Sequence, residues 1–513
     1  MKYNILSLGI LFLLAATMGA CIDDQGNYDY RAESEIMPAV ISGLESEYTF
    51  QLGSTHELTA NVEGVEGVEN LRYMWYVYGE LKKKRDTLGY GKKLNFKVDW
   101  ESGNYFLWFE VRDTVRDVCV DYKMGVTVES FLSTAWLVLE STGGMTDVDV
   151  VTADGSLKEN LLSSGGQARL KGKPVKMAYT YKHEQEEEKG DGKVEVVTKK
   201  AFYLLSEKEI KVYNAENMEL LKTAEDCFYE VPAGIAPMDC NMDSDAQLIN
   251  DGKYYYLSGN SANVGKFGYA KLGPDGTTDY DLYGGILPAS QAAMVWDKRS
   301  CSFLYIYAYN AQLGYFNEQV DGKEDFGSVT DMGAELKYLL YRSQVYDINV
   351  YAYITMGYGI MEKQGEYYIA DIAFNNKSDY PLKGWYKLPA DCKIIHSEVL
   401  GAHQTTASIF FASDDELWIH DVRNVADVSL RERKLFTFTG EKIACIRHIK
   451  IARGDFDCLT VLTNTGGNWK LYTFPFIGGG NEFDTTVPAE DVLIGKGEGE
   501  ANSFLRMYQG GAY

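Results

Sequence analysis

Beyond Ala135 this 513-residue chain repeats in structure rather than in letters, and that period constrains its fold more than any other feature. Short aromatic and β-branched runs pair across turn residues: Leu137 to Leu139 with Val148 to Val151, Phe202 to Leu205 with Ile210 to Tyr213, and Tyr254 to Leu257 with Phe267 to Leu272. Further copies begin at Phe303, Tyr358, Ile409 and Leu459, so the steps between first strands are 65, 52, 49, 55, 51 and 50 residues. A step of about 50 in a β-rich chain is that of four-stranded β-propeller blades, because one small sheet cannot bury both faces by itself. Seven hairpins predict seven blades over residues 131–513, a count that spacing leaves open by one. The long first step is expected to hold an exposed charged loop, His183-Glu184-Gln185-Glu186-Glu187-Glu188-Lys189-Gly190-Asp191-Gly192-Lys193. Ser413-Asp414-Asp415-Glu416 and Thr465-Gly466-Gly467-Asn468 supply turn chemistry, whereas Trp-Asp blade ends and the paired-glycine signature are absent.

Upstream, residues 36–130 carry strand-like runs at Glu47 to Leu52, Glu57 to Val62, Leu71 to Tyr78, Lys93 to Val98, Gly103 to Asp113 and Val118 to Val128. Alternation in Tyr73 to Tyr78 points Trp75 between two sheets, with Gly103 to Val111 reading as a strand that faces it, as in an immunoglobulin-like sandwich. With 38 Tyr, 22 Phe and 8 Trp and no sustained helical periodicity, the fold class is all-β.

The front end sets an address. Lys2, the apolar run Ile5 to Leu14 and the small residues Gly19-Ala20 before Cys21 form a lipoprotein signal peptide over residues 1–20, too short for a stable membrane span. Cys21 is then the lipidated mature N-terminus, and residues 21–35 an acidic tether. No second apolar stretch approaches the roughly 20 residues of a transmembrane helix, so attachment is expected through the lipid. A formal net charge of −24 repels phosphate backbones, which argues against a nucleic-acid partner. The basic run Lys82-Lys83-Lys84-Arg85 reads as a solvated turn. Seven cysteines remain after Cys21, too widely spaced for a disulfide framework or zinc ribbon; Cys227 and Cys240 are near enough to pair or to stay apart.

Chemistry is sparsely signalled. There is no Gly-x-Ser-x-Gly, and His56, His183, His396, His403, His420 and His448 show no triad context, so no catalytic residue is named. His396-Ser397-Glu398 lacks the zinc-protease spacing. Asp239, Asn241, Asp243 and Asp245 alternate like calcium ligands, but Ser244 and Asn250 stand where Gly and Glu belong, so a solvated turn is the reading and neither metal nor cofactor is expected. Trp296, Tyr305, Tyr307, Tyr309 and Tyr315, then Tyr338, Tyr341, Tyr346, Tyr351, Tyr353 and Tyr358, exceed what blade packing needs and suit stacking on sugar rings or peptide side chains.

The run Cys21-Ile22-Asp23-Asp24-Gln25-Gly26-Asn27-Tyr28-Asp29-Tyr30, with Tyr73-Met74-Trp75 and Ser102-Gly103-Asn104-Tyr105, resembles the PKD-like lipoproteins of Bacteroidota. The resemblance implies a setting beside SusC/SusD-type uptake systems, and it makes Asp23 and Asp24 a surface-export signal, placing the protein on the outer face of the outer membrane. Expected is a non-catalytic binding or assembly lipoprotein for glycan or peptide uptake. The alternatives are a propeller hydrolase or lyase acting on extracellular polymer, and a purely structural SusC/SusD partner.

Overall fold

The computed structural model describes residues 37–79, 84–188, 190, 192–242, 246–257, 264–318, 327–377, 379–423, 431–451, 456–477, 482–483, 487–508 and 511–513. Cys21, Asp23, Asp24, the rest of residues 1–36, Lys82, Lys83, Asp243 and Asp245 lie outside the described residues. The chain is all-β apart from short helical turns, and it divides into two compact units, Met1–Asp99 with Asn104–Val128 and Trp100–Gly103 with Glu129–Tyr513.

In the smaller unit a five-stranded sheet is ordered Glu47–Gln51, Val118–Glu129, Gly103–Asp113, Leu71–Gly79, Asp86–Tyr90. Two further pairs, Thr55–Thr59 with Lys93–Lys97 and Val40–Ser42 with Asn61–Glu63, complete it. Trp75 is fully buried, as its alternation requires, and its indole N–H donates to the Gly91 carbonyl at 2.8 Å. Gly103–Asp113, however, does not face the Trp75 strand from an opposing sheet. It is paired with that strand edge to edge, Trp75 opposite Phe109, and residues opposed across a ladder share a face, so the two rings meet at 4.5 Å. Nor is Arg85 merely solvated: it reaches the buried Glu110 at 3.0 Å and lies over the Tyr76 ring, giving a carboxylate removed from water its counter-charge.

Seven sheets follow in the larger unit among the described residues. The first joins Trp136–Thr142, Met145–Val151 and Leu157–Lys158 to Glu500–Tyr508 from the far end of the chain. The second is Pro174–Glu188, Val194–Ser206, Ile210–Asn214, Leu220–Lys222, and the third Pro237–Asn241, Ala246–Asn250, Lys253–Leu257. The fourth is Leu287–Ala289, Ala292–Asp297, Ser302–Tyr307, Gly314–Tyr315, and the fifth Glu335–Asp347, Ala352–Lys363, Glu366–Phe374, Leu382–Leu388. The sixth is Leu400–Ala402, Ser408–Ser413, Glu416–Asp421, Glu432–Thr437, and the seventh Lys442–Ile451, Phe456–Thr465, Asn468–Pro475, Leu493–Glu498.

Two sequence expectations change here. Phe267 to Leu272 is not the ladder partner of Tyr254 to Leu257; Ala246–Asn250 is, and the later segment contributes only scattered bonds such as Lys271 N to Tyr254 O, since Gly268 and Gly273-Pro274 interrupt a regular strand. The stretch from His183 is not a loop either. It is strand as far as Glu188, paired with Val194–Ser206, and Lys199, opposite His183 in that ladder, reaches along it to Glu187.

Successive side chains of each strand serve opposite neighbours. Leu137 and Leu139 pack with Phe202 and Leu204 of the second sheet, while Trp136 and Val138 pack with Leu462 and Leu471 of the seventh. The same holds at Phe410, which joins Leu459 and Val461 of the seventh sheet, and Phe411, which joins Ile360 and Ile369 of the fifth. Other shared clusters link second to third, third to fourth and fourth to fifth. Burial on both faces is why these strands read as continuous apolar runs.

Candidate functional site

The first strands of the second, third, fifth and seventh sheets, and the C-terminal strand Glu500–Tyr508 of the first, each carry one extra residue near their start: Val175, Met238, Lys337, Ala444 and Asn502 have no ladder partner. A bulge of this kind bends the strand and re-aims its side chains. Immediately after three of these bulges stand Lys176, Asp239 and Cys445. Lys176 Nζ donates to Asp239 Oδ1 at 2.5 Å, and the carboxylate also accepts from Cys240 N at 2.9 Å and Ile286 N at 2.8 Å. Arg447, two residues beyond Cys445, donates from Nη1 to the Phe504 carbonyl at 2.8 Å. Burial works against the Lys176 ammonium, yet Asp239 outweighs it and its pKa is raised. Burial raises the Cys445 thiol pKa, with Arg447 and Lys176 opposing, and lowers that of Arg447. Asp239 and Asn241 therefore belong to a strand, not to the solvated turn their spacing suggests, because the Asp239 oxygens are used inside the sheet stack.

Two hairpins overhang their sheets. In the second sheet the overhang leaves through a bulge at Tyr181-Lys182, and in the fifth through one at Arg342. The fifth-sheet hairpin ends in Ile348-Asn349-Val350-Tyr351, where Ile348 is 69% and Tyr351 79% exposed. Tyr346 and Tyr353, directly opposed, are also exposed, with rings 5.2 Å apart. Tyr351 holds a φ of 51°, a left-handed backbone that strains a side chain of this size. Of the aromatics singled out by sequence, Trp296, Tyr305 and Tyr358 are core, Tyr307 and Tyr338 are half-buried, and Tyr309, Tyr315, Tyr341, Tyr346, Tyr351 and Tyr353 face solvent.

Sequence spacing missed two buried polar groups, since each is assembled across strands. His448 Nε2 meets Asp457 at 2.7 Å, His448 Nδ1 accepts from Gln404 N at 3.0 Å, and the His403 ring lies 4.3 Å away. Burial lowers the His448 pKa against the pull of Asp457, so this ring is a neutral hydrogen-bonding group. Elsewhere the Cys392 thiol, a His420 nitrogen and a Glu432 oxygen lie within 4.8 Å of one another. Glu432 already accepts from His420, Lys393 N and Ile394 N, and burial pushes the Cys392 thiol up to about 11. The three supply three of the four ligands of a closed tetrahedral set, with a thiol that burial holds protonated. His396, exposed, and His403, buried, are not brought together as one site. Cys227 and Cys240 are free thiols within one apolar cluster.

No helix among the described residues is long and apolar enough to cross a membrane. No curated protein matches the chain. Among solved structures it is similar to a quinonprotein alcohol dehydrogenase-like protein of Bacteroides thetaiotaomicron, at 12% identity and TM-score 0.40, over 90% of this chain and 96% of that one. It is also similar to PorZ, a surface component of the type-IX secretion system of Porphyromonas gingivalis, at 9% identity and TM-score 0.30, over 82% of this chain and 50% of the other. The WD40 domain of SCAP from fission yeast follows at 11% identity and TM-score 0.21, over 72% and 75%. At the level of family, residues 21–174 match the model of the PKD-like family, a span that covers the strands of the smaller unit and the opening strands of the first sheet of the larger.

Proposed function

We propose that this chain is a lipid-anchored outer-membrane surface protein of a Bacteroidota cell that binds or assembles rather than reacts. In this reading Cys21 carries the lipid, Asp23 and Asp24 direct export, and the acidic tether spaces the folded units from the bilayer. The seven sheets are blades of a closed β-propeller. Supporting that closure, every sheet shares an apolar cluster with the next, the seventh shares one with the first, and the C-terminal strand Glu500–Tyr508 completes the first sheet. As blades, the second and fifth sheets put both overhanging hairpins at one end of the ring, since each overhang links a first strand to a second.

The observation that carries the binding role is the tip around Tyr346, Ile348, Val350, Tyr351 and Tyr353. Scattered exposed apolar residues are ordinary, but a contiguous group on a projecting arm marks a contact surface. Flat tyrosine rings with few rotatable bonds suit sugar rings, peptide side chains or a SusC/SusD-type neighbour. Asp239, the carboxylate among the re-aimed first-strand residues, is tied by three donors and is not poised as a base.

Two measurements test the reading. Cys21→Ala is expected to release the protein from membranes and to abolish its trypsin accessibility on intact cells; unchanged membrane association removes the anchor. In the mature protein, Tyr346→Ala with Tyr351→Ala should weaken binding to a responding oligosaccharide, peptide or uptake pair by about tenfold or more without unfolding it. Turnover of such a ligand defeats the non-catalytic claim.

A further inference from the structure

The residues at and beyond the strand bulges pose a charge problem in a protein whose formal net charge is −24. Lys176, Cys445 and Arg447 are closely surrounded by protein, yet each remains part-exposed, the Lys176 side chain at 41%. Groups that protein encloses and solvent still reaches line an internal channel. The charge of Arg447 acts on Lys176, and both cations act on the Cys445 thiol. Asp239, the carboxylate beside Lys176, is committed to it and to two backbone N–H groups. Among the described residues, Arg447 makes a single hydrogen bond, to the Phe504 carbonyl, and no ion pair. A guanidinium offers five N–H donors in a planar fork, and burying it without a counter-charge is costly. The strand bulges at Val175 and Ala444 immediately precede Lys176 and Cys445, and Arg447, two residues beyond Cys445, shares its face of the strand.

We infer that the channel between the first strands of the second and seventh sheets is an anion site, in which Arg447, with Lys176 beside it, binds a small oxyanion of the carboxylate or phosphate kind. The fork matches the planar pair of oxygens that both groups present, and the confined space strengthens the interaction over that at an open surface. The site rests on the closed-ring reading, because it needs the second and seventh sheets to face a common axis.

Cys445 supplies a reporter inside the channel. In the mature protein, labelling of Cys445 by an anionic and by a cationic methanethiosulfonate, resolved by peptide mass spectrometry and corrected for intrinsic reactivity, reads the local potential. The anionic reagent is expected to react about tenfold faster. Inorganic phosphate or acetate, at constant ionic strength, should slow that labelling several-fold, and whichever protects more identifies the preferred group. Arg447→Gln should lose both the preference and the protection. Arg447→Lys, which keeps the charge but not the fork, should retain the preference and lose most of the protection, and it preserves the test if the glutamine variant does not fold. Equal rates for the two reagents, protection that survives in Arg447→Gln, or no reaction with either reagent overturns the site. Labelling by both reagents as fast as in the urea-unfolded chain instead overturns the closed ring itself.

Discussion

Glu140 is a buried carboxylate with an unmet need. It stands opposite Asp147 in the first sheet, its Oε2 accepts from Thr142 at 3.0 Å, and Oε1 has no hydrogen-bond partner. Burial, with Thr142 opposing and Asp149 adding repulsion, pushes its pKa up to about 7. The neighbouring Asp147 accepts from Arg169 and from the N–H groups of Leu162 and Ser163. The unfolded chain releases the Glu140 proton first, near the ordinary 4.5, so the folded state is favoured below that value and loses stability as pH rises toward about 7. Glu140→Gln should therefore stabilise the larger unit at pH 8 by up to about 3 kcal/mol and leave pH 4 nearly unchanged, read by urea unfolding. His183 titrates in the opposite sense. Burial, helped by Lys222 and Lys199, lowers its pKa to about 3, and Nδ1 shares a hydrogen bond with Tyr203. The unfolded histidine takes up its proton near 6.5, so stability is whole above that pH and is lost as pH falls toward about 3. His183→Gln should flatten this acid limb by about 1.4 kcal/mol per pH unit.

At the scale of elements, the overhanging hairpin of the fifth sheet separates stability from binding. Its tip buries little and holds Tyr351 in a strained backbone, so packing does not account for tyrosine there. Asparagine tolerates that conformation; Tyr351→Asn is expected to raise stability by about 1 kcal/mol in denaturant titration while lowering affinity for whatever the tip contacts. A loss of stability would instead make Tyr351 a packing residue. The bulges at the base of both overhangs give each arm its own direction, a feature built into the ladder rather than into the turn.

At the scale of the whole molecule, the first sheet takes a strand from the far end of the chain. Arg506 Nη1 donates to Thr134 O and Asn502 Nδ2 to Pro174 O, both at 2.6 Å, while Phe504 packs between Trp136 and the seventh sheet. Deleting residues 500–513 exposes that cluster and leaves Trp136–Thr142 as an edge. The expected outcome is a larger unit that loses cooperative unfolding and becomes protease-sensitive while the smaller unit survives. A truncated chain that unfolds within a few degrees of the full one would show that the strand is dispensable.

Strand positions were legible because burial of alternate side chains, or of both faces, leaves its mark on every residue: Gly103–Asp113 was readable to its ends and Trp75 as a core anchor. The step of about 50 residues was legible for the same reason, each hairpin needing its own apolar runs. Which strand of a sheet a run occupies was not, and Tyr254 and Phe303 lie on third strands while Phe202, Tyr358, Ile409 and Leu459 lie on second ones. Bulges escape the sequence because an extra residue changes pairing without changing composition. The pairing of Lys176 with Asp239 was invisible for a deeper reason: side chains far apart along the chain meet only once their sheets pack side by side, and hydrophobic burial, which drives that packing, carries no record of which polar groups it brings together.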